Sequence, residues 1–123
     1  MGTISRFEDI EAWQDARKLV SMVYECSART PLGKDFGLRD QIQRSAISIM
    51  ANIAEGFGRR RNTELQQYLR IASGSCAEVR SHLYAALDVG LISQEDFEAL
   101  QAQAELTGKR ITAFQKYLKS ATK

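Results

Sequence analysis

Seven residues in the middle of the chain, Leu65, Leu69, Ala72, Cys76, Val79, Leu83 and Ala86, are separated by steps of four and three without a break. An α-helix turns once every ~3.6 residues, so this spacing lines all seven along one side of a helix as a heptad seam. Such a seam is stable only when another element covers it. A second seam follows, in which Phe97, Leu100, Ala104, Thr107, Ile111, Phe114 and Leu118 repeat the same steps. Nearer the start, Ile10, Trp13, Ala16, Val20 and Val23 form a shorter stripe. No stretch alternates apolar and polar residues with the period of two that a half-buried strand needs. The chain is therefore expected to be all-α.

Turn residues divide it. Thr30-Pro31-Leu32-Gly33 ends a first helix, because the residue before proline is pushed out of the helical region. Gly56 and Gly58 suit the left-handed cap of a second, and Asn62 or Thr63 suits the N-cap of a third, which Gly90 closes. Ser93, with Asp96 three residues on, is a weak capping box opening a fourth. Gly108 lies inside that helix at a cost of ~1 kcal/mol relative to alanine, which points to a kink or a close contact. Helices are expected over residues 7–28, 38–55, 63–89 and 93–119 of a single domain spanning 1–123. Four helices joined by short loops pack as an antiparallel, up-down-up-down four-helix bundle. A chain of 123 residues buries roughly two-thirds of its unfolded surface, so its core needs no metal or disulfide. Cys26 and Cys76, each inside a helical pattern, read as reduced, buried thiols, although helices packed side by side can bring two such thiols into disulfide range.

The second helix does not suit a lone bundle. Ile42, Ala46, Ile47, Ile49, Met50, Ile53, Ala54 and Phe57 cover most of its circumference. A helix apolar on two sides is buried on two sides. One side meets the bundle core; the other, with Ile47, Met50, Ala54 and Phe57, is expected at an oligomer interface. Its polar residues are confined to a stripe, Gln41, Ser45, Ser48, Asn52 and Glu55, continuing to Arg59. Such a stripe either satisfies neighbouring backbone groups and fixes register, or it lines a site or a central opening in the oligomer.

The seventeen basic and fifteen acidic side chains leave a net charge of only +2, but the distribution is uneven. Arg59, Arg60 and Arg61 form one knot, and the last sixteen residues hold Lys109, Arg110, Lys116, Lys119 and Lys123 with no acid. Arg39, Arg44, Arg70 and Arg80 add charge on the second and third helices. Side chains of this kind bind phosphates without reading sequence. The plainer alternative is a solvated arginine turn, and lysines that complement the fourth helix's dipole. No groove-reading helix motif and no aromatic base-stacking platform is present, so a nucleic-acid contact would be to backbone or overall structure. Catalysis is not expected: the one histidine, His82, follows Glu78 by four residues, and no Cys–His cluster, glycine-rich phosphate loop or nucleophile motif accompanies it. No metal or cofactor is implied. The most apolar run, Ala46–Ala54, is broken by Ser48 and Asn52 and falls far short of the ~20 residues that span a bilayer. Acids in MGTISRFEDIEAW stand where a signal peptide is apolar, so a cytoplasmic location is expected.

Three segments together resemble the 23S rRNA intervening-sequence family of four-helix-bundle proteins. They are Phe7-Glu8-Asp9-Ile10-Glu11-Ala12-Trp13-Gln14 with Ala16; Phe36-Gly37-Leu38 through Gln41-Ile42, Arg44-Ser45-Ala46 and Ser48-Ile49 into Asn52-Ile53-Ala54-Glu55-Gly56-Phe57-Gly58-Arg59; and Tyr68-Leu69 with Ile71-Ala72, Gly74-Ser75 and Ala77-Glu78. The fourth helix fits in pattern only. Where the family commonly has proline after the Ser-Ile pair, this chain has Met50, so a straighter second helix is expected. The resemblance implies an antiparallel bundle assembled as a ring-like homopentamer, with no established molecular activity. The chain is also similar to the accessory variability protein of diversity-generating retroelements, a basic pentamer that works with a reverse transcriptase and nucleic acid. Two functions follow as expectations. One is binding of structured RNA or DNA backbone through Arg59, Arg60, Arg61, Arg44, Lys109, Arg110 and Lys116, repeated around the ring. The other is a scaffold that recruits a partner enzyme without touching nucleic acid.

Overall fold

The computed structural model describes residues 4–121; Lys123, counted in the basic tail, lies outside them. Four long helices follow one another: α1 (Glu11–Arg29), α2 (Phe36–Gly58), α3 (Asn62–Asp88) and α4 (Gln94–Ala121). No strand occurs among the described residues. α1 packs on α2 and α4, and α3 packs on α2 and α4, so each helix has two neighbours around one core. Side-chain pairs give the directions. Ser48 of α2 meets Ser75 of α3 and Glu55 meets Tyr68. Arg80 of α3 meets Gln101 of α4, while Asn62 meets Leu118. The last turn of α1 meets the first turn of α4 through Arg29 and Asp96. Every one of these pairs runs antiparallel.

The two heptad seams form the centre. All seven α3 seam residues are buried, none more than 3% exposed. In α4 only Phe114 is left partly exposed. The hydroxyl of Thr107, in that seam, donates to the Gln103 carbonyl at 2.8 Å, so its burial leaves no polar group unsatisfied. In α1 the buried face turns further than the stripe predicts: Leu19 is fully buried and Val20 only half. Cys26 and Cys76 are both buried free thiols, and burial pushes each thiol's pKa upward.

The boundaries differ from the sequence reading, each for a local reason. The first helix does not start at Phe7. Phe7–Asp9 is a separate 3-10 turn and Ile10 is extended (φ −77°, ψ 120°). Ile10 is drawn into the core, and the Phe7 ring packs edge-on against Trp13 at 5.1 Å. Glu8 and Asp9 therefore lie before α1, and Glu11 is the acid in its first turn. α2 starts two residues earlier than expected because the Asp35 carboxylate accepts the Leu38 N–H at 3.1 Å, an N-cap.

α2 also continues through both glycines that were expected to cap it. Gly56 is helical because α3 crosses it closely: a Cβ there would stand 2.6 Å from Tyr68 Cβ. The left-handed residue is Arg60 instead (φ 63°). Neither Asn62 nor Thr63 caps α3. Arg61 holds the N-cap position without a side-chain bond, and Asn62 is helical. The close of α3 follows expectation, with Gly90 at φ 79° and the Leu91 N–H bonded to the Ala86 carbonyl at 2.9 Å. Ser93 caps α4 as read, its hydroxyl accepting the Asp96 N–H at 3.0 Å. The helix then runs uninterrupted through Gly108, which faces Cys76 of α3.

Candidate functional site

Three residues of the α2 polar stripe, Ser48, Asn52 and Glu55, are hydrogen-bonded within the chain, along α2 or across to α3. Ser45 is buried. The Asn52 side-chain amide donates to the Ser48 carbonyl at 2.8 Å and to Ser48 Oγ at 3.0 Å, while the Ser48 and Ser75 hydroxyls meet at 2.9 Å. One turn on, Glu55 accepts from Arg59 and from the Tyr68 hydroxyl. Gln41 stands exposed. The hydrogen bonds account for Ser48, Asn52 and Glu55 as partners that hold two helices in register.

The residues expected at an oligomer interface divide. Ile47 is 41% exposed, whereas Met50 and Ala54 are half-buried against the core. Phe57 is 4% exposed and belongs to the chain's own core. It has no surface to offer a second subunit, because the next turn of α2 carries it inward beside Ile53. Ile71 of α3, 49% exposed, is a large apolar side chain that the reading of α2 did not reach.

The basic residues do not form one surface either. Arg59 turns along the α2–α3 seam, paired with Glu55 at 3.1 Å and lying over the Tyr68 ring. Its pKa is raised, chiefly by the hydrogen bond it donates to the Glu55 carboxylate. Arg110 reaches across to α1, where it meets Glu11 at 3.1 Å and Asp15 at 3.6 Å. Arg44 is exposed on α2, away from both. Three others share a region. Asn62, the first residue of α3, donates its side-chain amide to the Leu118 carbonyl at 3.3 Å. That bond ties the Arg60–Arg61 turn to the end of α4, one turn from Lys116.

From there an open groove of about 650 Å³ runs between the outer edges of α3 and α4. Its floor is made of small residues, Cys76 from α3 with Ala104 and Gly108 from α4, and the exposed Ala77 stands beside them. The hydroxyl residues Ser73 and Thr112 and the cations Arg80, Lys109 and Lys116 line it. Glu105 is the acid of the lining, and it is held by Arg80 at 3.1 Å. Arg80 is fixed further by Gln101, whose Oε1 accepts from Arg80 Nε at 3.2 Å while its amide donates to the Arg80 carbonyl at 2.8 Å. Lys109 and Lys116 are exposed and have no hydrogen-bond or ion-pair partner among the described residues. Arg70, also exposed, lies one turn before Ser73 on the same side of α3.

The groove as a whole has a signal in the sequence. Ser73, Ala77 and Arg80 each stand one place after an α3 seam residue, and Glu105, Gly108 and Thr112 one place after an α4 seam residue. Small residues recur there on both helices, which allows a groove to open beside the seam. Among the described residues, no three His, Cys, Asp or Glu side chains converge as a metal site would require. No helix of the described residues is long and apolar enough to cross a membrane.

Fold and site together define a class: a single-core, all-α protein of four helices with a cationic groove on its surface. The chain belongs to the 23S rRNA-intervening sequence protein family, which it matches over residues 8–113. Its fold is similar to the crystal structure of a protein of unknown function from the S23 ribosomal protein family of Bacteroides thetaiotaomicron. The TM-score is 0.77 at 19% identity, over 85% of this chain and 98% of that one. No protein of curated function matches the chain.

Proposed function

We propose that this is a non-enzymatic binding protein of the cytoplasm that holds the phosphate backbone of structured RNA or DNA. The observation that carries this reading is the pair of lysines, Lys109 and Lys116, exposed on the α3–α4 groove and neither of them paired with a carboxylate. Arginines that would otherwise add to the field, Arg59, Arg61, Arg80 and Arg110, are already paired with carboxylates. Unpaired cations on one concave surface attract a polyanion and release its condensed counterions. The groove has no aromatic side chain on which a base could stack, so the contact is to backbone and tolerates any sequence.

The chain is proposed to act as a ring of five. Ile47 on α2 and Ile71 on α3 support this, because large exposed apolar side chains near the middle of helices favour a covered face. Five copies at +2 each carry about +10, and a ring repeats the groove by symmetry.

Gel shifts with a structured RNA at about 50 mM salt test the binding. The chain is expected to retard the RNA, and the double variant Lys109→Glu, Lys116→Glu to weaken binding at least tenfold. A chain that retards neither RNA nor DNA at that salt has a different function.

A further inference from the structure

Resting on the backbone-binding reading, we infer that the α3–α4 groove seats a single nucleic-acid strand and discriminates against a duplex. The width and depth of the groove favour one strand. The groove lies between neighbouring helices, whose axes stand about 8–10 Å apart when packed. Small residues line it, Cys76, Ala104 and Gly108 below and the exposed Ala77 beside them, short enough to let a ligand approach the two helix backbones. Unpaired Lys109 and Lys116 stand on the α4 wall, and Arg80, shared with Glu105, stands on the α3 wall. One phosphodiester chain lying in such a channel meets both walls at once. A duplex presents even its major groove as a gap of about 12 Å and is wider overall, so it touches only the tips of the rim lysines and leaves the floor empty.

Spacing along the groove agrees. Lys109 and Lys116 are seven residues apart, which is about 10.5 Å along a helix, and Thr112 lies between them with a hydroxyl to donate. That separation fits phosphates a few nucleotides apart on one strand. The direction of the groove carries such a strand towards the Arg60–Arg61 turn, which the Asn62–Leu118 bond places at its end. With no stacking platform in the lining, the bases face solvent and the strand is held by its backbone.

Fluorescence anisotropy decides this with three probes: a labelled oligo-dT of about twelve nucleotides, the same length as a blunt duplex, and inorganic polyphosphate as competitor. The oligo-dT is expected to bind at least fivefold tighter than the duplex at about 50 mM salt. Its log affinity should fall with log salt with a slope of about −1.4, as contacts by the two unpaired lysines on a single strand give. Ala77→Trp fills the groove without touching a charge, and is expected to weaken oligo-dT at least tenfold while changing duplex binding less than threefold. Thr112→Trp, from the opposite wall, serves the same purpose if circular dichroism shows that the first variant does not fold.

Duplex binding as tight as single strand, or folded tryptophan variants that bind oligo-dT normally, would overturn the inference and leave the backbone-binding reading intact. Polyphosphate competing as well as oligo-dT at equal charge would also overturn it, because charge alone would then explain the contact. Failure of every probe to bind the wild-type chain would instead remove the backbone-binding reading itself.

Discussion

Gly56 shows how one position can be fixed by its neighbour across the bundle and not by its own backbone. It is helical, yet a Cβ would stand 2.6 Å from Tyr68 Cβ and 3.0 Å from Leu65 Cδ1. Gly56→Ala gains helix propensity of about 1 kcal/mol but forces α2 and α3 apart. Overpacking of this kind costs about 1–3 kcal/mol, so a net loss is expected, read as a lower thermal midpoint in circular dichroism. An unchanged or raised midpoint would mean that the two helices separate at no cost. The glycine was visible in the sequence, and its meaning was not, because NIAEG-F-G-R reads equally well as a helix end. What decides is the residue opposite, and Tyr68 is opposite only once α3 has docked. Arg60 illustrates the same limit from the other side. A left-handed arginine is disfavoured by about 1–2 kcal/mol, but its guanidinium lies 5.4 Å from the centre of the Phe57 ring, a partly compensating contact.

At the scale of the element, helix ends account for most of what the sequence left unread. The seams were legible because burial follows periodicity directly, as the buried α3 seam shows. Caps depend on which polar atom reaches which N–H. Ser93 and Asp35 both cap, but only Ser93 stood directly before an obvious apolar period. Ser93→Ala is expected to destabilise the chain by about 1 kcal/mol, measured by urea unfolding with an unchanged slope.

The same turn carries a pH response. Arg29 holds the Asp96 carboxylate below its ordinary value of 3.8, assisted by the Ser93 hydroxyl and opposed by partial burial. A carboxylate whose pKa is lower folded than unfolded stabilises the fold above the unfolded value, and that stability is lost as pH falls through the folded value. The chain should therefore weaken as pH drops below about 4. Asp96→Asn should flatten that part of the stability–pH curve, and a variant that loses stability in acid as steeply as wild type would show that other carboxylates govern it.

For the whole molecule, four helices and their order were legible from composition of stripes and turns, whereas the surface was not. In the sequence, charge alone groups seven basic residues, Arg44, Arg59, Arg60, Arg61, Lys109, Arg110 and Lys116. Folding separates them, sending Arg59 to the α2–α3 seam and Arg110 to α1, and it joins the Arg60–Arg61 turn to the lysines of α4. Pairing of side chains across antiparallel helices is a tertiary property that one-dimensional spacing does not encode. The proposed ring belongs to this scale. Light scattering is expected to give a mass near five times 13.8 kDa, and Ile47→Glu to lower it towards one chain while leaving helix content unchanged. A wild-type monomer at micromolar concentration would remove the ring.

The Asn62–Leu118 bond also bears on how the protein is handled at the bench. It puts the last turns of α4 beside the arginine turn, and the Glu11–Arg110 pair sets the start of α1 towards the same half of the bundle. An affinity tag on either terminus therefore projects from the half of the molecule that carries Arg60, Arg61 and Lys116. A polyhistidine stretch there adds charge to a nucleic-acid assay, and an acidic epitope masks it. Binding measurements call for a cleaved protein, or for a label placed in the Val89–Ser93 loop at the opposite end.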